Sequence, residues 1–134
     1  QKEMASLLGT TTSGTSGAQI CNTLNSLLSK TSDTRRFQRV TISTAALETS
    51  VRSSLRNDFP LTLNVKEMPN YTSGSGHFIA VKGYYFNTST DFKTITICDP
   101  HPTYSGTYTY TLEEMETAVE SSNGYYNRLD ASTV

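Results

Sequence analysis

Apolar residues near the start of the chain recur every three or four positions, the spacing of a helix with one buried face. Met4, Leu7 and Leu8 share such a face and Gly9 follows them, which predicts a short helix over Lys2 to Leu8. Thr10 to Gly17 is a Ser/Thr/Gly loop. Thr15 or Ser16 then caps a second helix, about Gly17 to Lys30, with Ile20, Leu24, Leu27 and Leu28 as its expected buried stripe. Thr31 to Arg36 is polar, and Phe37 to Ile42 alternates as a strand. Ser43 caps a third helix, Thr44 to Asn57, in which Leu47, Val51 and Leu55 recur at every fourth residue.

After Pro60 the period changes to two. Leu61, Leu63 and Val65 point one way and Thr62, Asn64 and Lys66 the other, so this segment reads as a half-buried strand. Met68 to Gly76 reads as a loop. His77 to Tyr85 and Phe92 to Cys98 are rich in β-branched and aromatic residues and are the strongest strands; Gly106 to Thr111 is another. An acidic helix, Leu112 to Ser121, closes the pattern. Helices first and strands afterwards imply an α+β fold with an antiparallel sheet, N-terminal helices and a C-terminal helix.

Composition narrows the function. The 134 residues include 22 Thr and 17 Ser, against 17% charged residues and a net charge of −1. The length suits one domain, residues 1–134. Near-zero charge removes the footprint that nucleic-acid binding requires. No apolar run approaches the roughly 18 residues of a membrane span. The chain opens on Gln1 without a signal peptide, so it reads as a processed product or a piece of something longer. Low charge with abundant Ser, Thr, Tyr and Asn suggests a secreted or cell-surface protein. The sequons at Asn70 and Asn87 matter only where the source glycosylates.

Chemistry concentrates in the hairpin from His77 to Asp99. With the register centred on Thr88, Val81 faces Ile95, Ile79 faces Ile97, and His77 faces Asp99 at the open end. Directly opposed residues have Cβ atoms about 5 Å apart, close enough for a carboxylate to orient an imidazole. A two-residue slip weakens the contact without changing the face. An imidazole held by a carboxylate is the base half of a nucleophile–base–orienter triad. The plainer reading makes His77 a strand-end histidine and Asp99 the start of an Asp-Pro turn.

The run Ser75-Gly76-His77-Phe78-Ile79-Ala80-Val81-Lys82-Gly83-Tyr84, followed by Ile95-Thr96-Ile97-Cys98-Asp99-Pro100, resembles the papain-like cysteine peptidases. The nearer likeness is to their bacteriocin-processing (double-glycine leader) peptidase-like branch. Upstream, Gln1 to Leu8, Gly9-Thr10-Thr11, Gly14-Thr15 and Leu24-Asn25 look like the helical stretch those proteins place between nucleophile helix and sheet. Ser54-Leu55, Pro60-Leu61 and Asn64-Val65 look like the helix and strand leading to the histidine, and Tyr108 to Val119 like the last strand and helix. The resemblance implies His77 as general base, Asp99 as its orienter, a peptide or protein substrate, and a bacterial source. It also implies a Cys at the start of an early helix, with a Gln a few residues before it. Both are expected upstream of Gln1, on a complementary N-terminal segment or chain. Apolar surface left by that helix is expected to hold the partner or to drive self-association.

Other candidates compete less well. Cys21 lies about a turn into its helix beside Ile20, where a small apolar residue packs; a nucleophile belongs at the helix start. Cys98 points away from His77 and is expected to be structural, and the two cysteines could pair or stay free. His77, Asp99 and His101 are metal-capable, but they lack the spacing of established zinc sites, so neither metal nor cofactor is expected. Gly74-Ser75-Gly76 is not a nucleophile elbow; it is expected to let backbone pass close to the active face. Tyr108 and Tyr110 read as one sheet face in preference to a ligand platform. Glu113, Glu114, Glu116 and Glu120 read as a solvated helix face. Against the peptidase stand a non-catalytic binding or structural module on the same fold and a small metal-dependent hydrolase.

Overall fold

The computed structural model describes residues 2–130. Helices α1 (Lys2–Leu8) and α2 (Gly17–Leu28) lead to strand β1 (Phe37–Thr41) and helix α3 (Thr44–Arg56). Strands β2 (Leu61–Met68), β3 (Tyr71–Asn87), β4 (Phe92–Asp99) and β5 (Gly106–Thr111) follow. Helix α4 (Leu112–Glu120) and strand β6 (Tyr125–Leu129) complete the order. The six strands form one sheet in the order β1-β6-β2-β3-β4-β5, every neighbouring pair antiparallel. The α+β class expected from the pattern is the class observed. A sixth strand follows the last helix and slots between β1 and β2.

Local signals start the helices where the pattern put them. Ser16 forms a reciprocal capping box with Gln19 at α2, and Thr111 one with Glu114 at α4, each satisfying two end groups. Ser43 caps α3 through the Ala46 amide. The core lies on one sheet face. Leu61, Leu63 and Val65 of β2, Ile79 and Val81 of β3, and Ile95 and Ile97 of β4 pack there against Leu47 and Val51 of α3 and Met115 and Val119 of α4. Tyr126 of β6 joins them, its hydroxyl bonded to Ser50 and to the Ala46 carbonyl of α3. Its neighbour Asn127 points to the opposite face and donates to the Gly17 carbonyl, which places α2 behind the sheet.

Several expectations change. Of α2 only Gly17 and Cys21 are buried; Ile20, Leu24, Leu27 and Leu28 remain half-exposed. The helix sits at the β1/β6 end of the sheet, with little beyond α1 to cover its stripe. The Met68 to Gly76 segment is no loop: Pro69 and Asn70 make a tight turn and β3 begins at Tyr71. Glu116 turns inward, where its carboxylate accepts from the Thr44 amide and hydroxyl at the start of α3, so it does not belong to a solvated face.

The hairpin register is displaced as well. Val81 faces Ile97, and Asn87 pairs with Phe92 across a turn of Thr88 to Asp91. That turn is not centred on Thr88, and the pairing shifts again between Val81 and Gly83, a bulge that adds a residue to β3. His77 and Asp99 are consequently diagonal neighbours on the same face. The bulge also exchanges the faces of β3: Ile79 and Val81 face the core before it, Tyr84 and Phe86 after it.

Candidate active site

Strand β3 carries His77 to the end of the core face. Directly across the β2 pairing stands Val65, and the register then jumps, because Thr72 pairs with Glu67. The extra β3 residues, Ser73 to Gly76, bow out of the ladder immediately before the histidine. Gly76 has φ +98°, a conformation that side-chain-bearing residues rarely adopt. A Cβ there would meet nothing nearer than 3.5 Å. The glycine therefore serves the backbone's conformation and not, as expected, a close approach. Strand β4 brings Asp99 to its own end, where Pro100 stops the ladder and the carboxylate receives the His101 amide in an Asx turn.

The two side chains meet. His77 Nε2 lies 2.6 Å from Asp99 Oδ1, with the Asp99 side chain wholly buried. A diagonal pair is within reach of a long side chain such as His, which is why the slipped register does not break the contact. Oδ1 also accepts from the His101 amide at 2.8 Å, and Oδ2 from the Tyr71 hydroxyl at 2.5 Å. Burial alone pushes the Asp99 carboxyl up. The Tyr71 hydroxyl, His77 and the His101 amide favour the charged form and together hold it below its ordinary value. Burial, and then the bond to Asp99, push the Tyr71 phenol well above its usual range, so it stays a donor.

An ionised Asp99 selects the tautomer. It takes the proton-bearing Nε2 and leaves Nδ1 as the basic nitrogen, with no hydrogen-bond partner among the described residues. Beside the ring opens a groove of about 750 Å³, lined by Ser13, Gln19, Asn64, Phe78, Pro100 and Asn123 among others. No Asp, Glu, Lys or Arg side chain is among the described residues that line it. The arrangement can accept a proton from a group brought to Nδ1 and hold the resulting imidazolium.

Neither cysteine of the chain is that group. Cys21 is buried on α2, its thiol donating to the Phe37 carbonyl at 3.1 Å, and burial pushes its pKa up, only partly opposed by Arg39. A raised thiol pKa is the reverse of what a nucleophile needs. Cys98 is exposed on the opposite face, lining a separate hollow of about 320 Å³ with Phe78, Ala80 and Pro100, so it is not packed as a structural residue. The two cysteines are free. His101 turns its Nδ1 to the amides of Thr103 and Tyr104. No cluster of three or more metal-capable side chains occurs among the described residues.

Sequence reasoning missed Tyr71, which it placed in a loop and noted only within a sequon. Alternating Tyr71-Thr72-Ser73 after the Pro69-Asn70 turn signal was the available clue.

An antiparallel α+β fold with a carboxylate-oriented imidazole at the strand ends defines a papain-like class of proteins. A family model described as the Peptidase_C39 like family matches residues 1–133, and the chain belongs to that family. No curated protein and no solved structure matches it. Membership supports cysteine-peptidase-type chemistry, a hydrolase activity, in general terms.

Proposed function

We propose that the chain is the sheet-bearing portion of a papain-like cysteine peptidase of the bacteriocin-processing, double-glycine-leader type, exported or displayed at a bacterial surface. The thiolate comes from a Cys-bearing helix upstream of Gln1 or on a second chain. His77 Nδ1 takes the thiol proton, and the sulfur attacks the scissile carbonyl of a peptide lying in the groove. The imidazolium then passes its proton to the leaving amine as the acyl-enzyme forms. Water, deprotonated by the same ring, releases the acid and restores the thiol. Asp99 keeps Nδ1 basic and stabilises the imidazolium.

One observation carries this reading: the 2.6 Å bond from His77 Nε2 to a buried, triply bonded Asp99. The half-exposed stripe of α2, with Met4 and Leu7 exposed on α1, supports a partner segment that covers it.

The test joins the Cys-bearing helix to the chain, or supplies it separately, and follows peptide cleavage. Activity is expected to appear and to fall at least about 10²-fold in His77→Ala. Activity that survives that substitution overturns the assignment. A non-catalytic module is the second reading, favoured by the absence of a cysteine of this chain from the His77 groove. A Gln followed a few residues later by Cys-Gly in the upstream coding sequence favours the enzyme, and another residue in place of the Cys favours the module.

A further inference from the structure

Asp99 has more partners than orienting one imidazole requires. His77 and the His101 amide share Oδ1, and Oδ2 belongs to the Tyr71 hydroxyl alone. Tyr71 reaches it from the far side of the bowed Ser73 to Gly76 stretch and is itself buried. Its ring lies flat against Tyr104, centroids 4.6 Å apart and planes 7° from parallel. On another side it leans on His101 at 4.7 Å. Two neighbouring rings therefore fix the plane of the phenol and the place of its oxygen. The last torsion of an aspartate is broad, so a carboxylate tied through one oxygen swings, and one tied through both is held.

We propose that Tyr71 is a positioning residue: its hydroxyl fixes Oδ2 so that Oδ1 stays where it holds the Nε2–H tautomer of His77. The Tyr104 and His101 rings serve the same end indirectly, by holding the phenol. Deleting the hydroxyl strands a buried carboxylate oxygen, a cost that exceeds the ordinary worth of a neutral hydrogen bond. The inference rests on the reading of His77 as a catalytic base, yet the tie itself is measurable in this chain without turnover.

The experiment records the imidazole nitrogen resonances of His77 in ¹⁵N-histidine-labelled protein at neutral pH. Tyr71→Phe keeps the ring and its stack and removes only the O–H. The His77 pattern should move from the Nε2–H tautomer toward a mixture. Its Nε2 proton should exchange with water about tenfold faster, the loss of one charge-assisted hydrogen bond. Tyr104→Leu loosens the stack while sparing the hydroxyl, and should lower Tm and move the nitrogen pattern less than Tyr71→Phe does. A folded Tyr71→Phe protein with an unchanged pattern overturns the proposal. So does a Tyr104→Leu protein that shifts as far, because the effect is then one of packing. If Tyr71→Phe does not fold, 4-aminophenylalanine at position 71 keeps the ring and a donor to Oδ2, but a weaker one. The His77 pattern should then move part of the way toward the mixture, and an unmoved pattern is equally fatal. Should Tyr71→Phe unsettle the tautomer while His77→Ala leaves the completed peptidase active, the functional reading falls and the tie stands.

Discussion

Helices α2 and α3 carry similar apolar stripes and meet opposite fates. In α3, Leu47 and Val51 have no exposed surface, sealed between the sheet and α4. In α2, Ile20, Leu24, Leu27 and Leu28 stay half-exposed, and Met4 and Leu7 on neighbouring α1 are 46% and 52% exposed. Periodicity reveals which side of a helix is apolar and nothing about what covers it. The sheet shows the same contrast, with α3 and α4 closing one face and α2 covering only the β1/β6 end of the other.

The contrast can be broken by substitution. Leu47→Ala should lower the unfolding free energy by about 2–5 kcal/mol in a urea titration. Leu24→Ala, at a comparable stripe position, should cost under about 1 kcal/mol in the same titration. Equal losses would mean that α2 is covered in solution, and sedimentation velocity would then show self-association. Between these extremes, Gly76→Ala forces a side chain into a left-handed conformation beside His77. A loss of about 1–2 kcal/mol is expected, with a displaced His77 resonance in NMR; a neutral result would show that the bowed stretch tolerates rearrangement.

The smallest effect concerns pH. Asp99 is held below its unfolded value of about 4, so its ionisation stabilises the native state above that pH. The contribution disappears as pH falls through the folded value. Thermal melts from about pH 6 to pH 2 should therefore fall less steeply in Asp99→Asn than in the parent. An identical slope would move the acid sensitivity to other carboxylates, such as Asp33, which its hydrogen bond to Arg35 holds at about 2.

Much of this was legible in the residues. Capping by Ser16 and Ser43, the alternation of Leu61, Leu63 and Val65, and the aromatic and β-branched strands marked the elements, because each signal is local. The shared face of His77 and Asp99 was legible too, since a slip of two preserves side-chain parity. What escaped was non-local. The turn of Thr88 to Asp91 moved the pairing three positions from the assumed register, and the bulge, signalled only by Gly83, returned it by one. Strand β6 is short and mixed in polarity, and its place depends on β1 and β2, far away in the chain. The inward turn of Glu116 required knowing that α4 passes the start of α3. Tyr71 was hidden because a tight Pro69-Asn70 turn and a long irregular strand together look like a loop.

Strand β6 is the last element described and yet the second in the sheet, with β1 on one side and β2 on the other. On a ribosome, β1 emerges early and must wait for β6, its one strand partner among the described residues, until residues 125–129 have been synthesised. Throughout that interval the unpaired backbone of β1 and the open margin of β2 are competent to recruit strands from other nascent chains. Closure of this sheet thus waits on residues 125–129, and chaperone demand during synthesis should track the delay before β6 arrives.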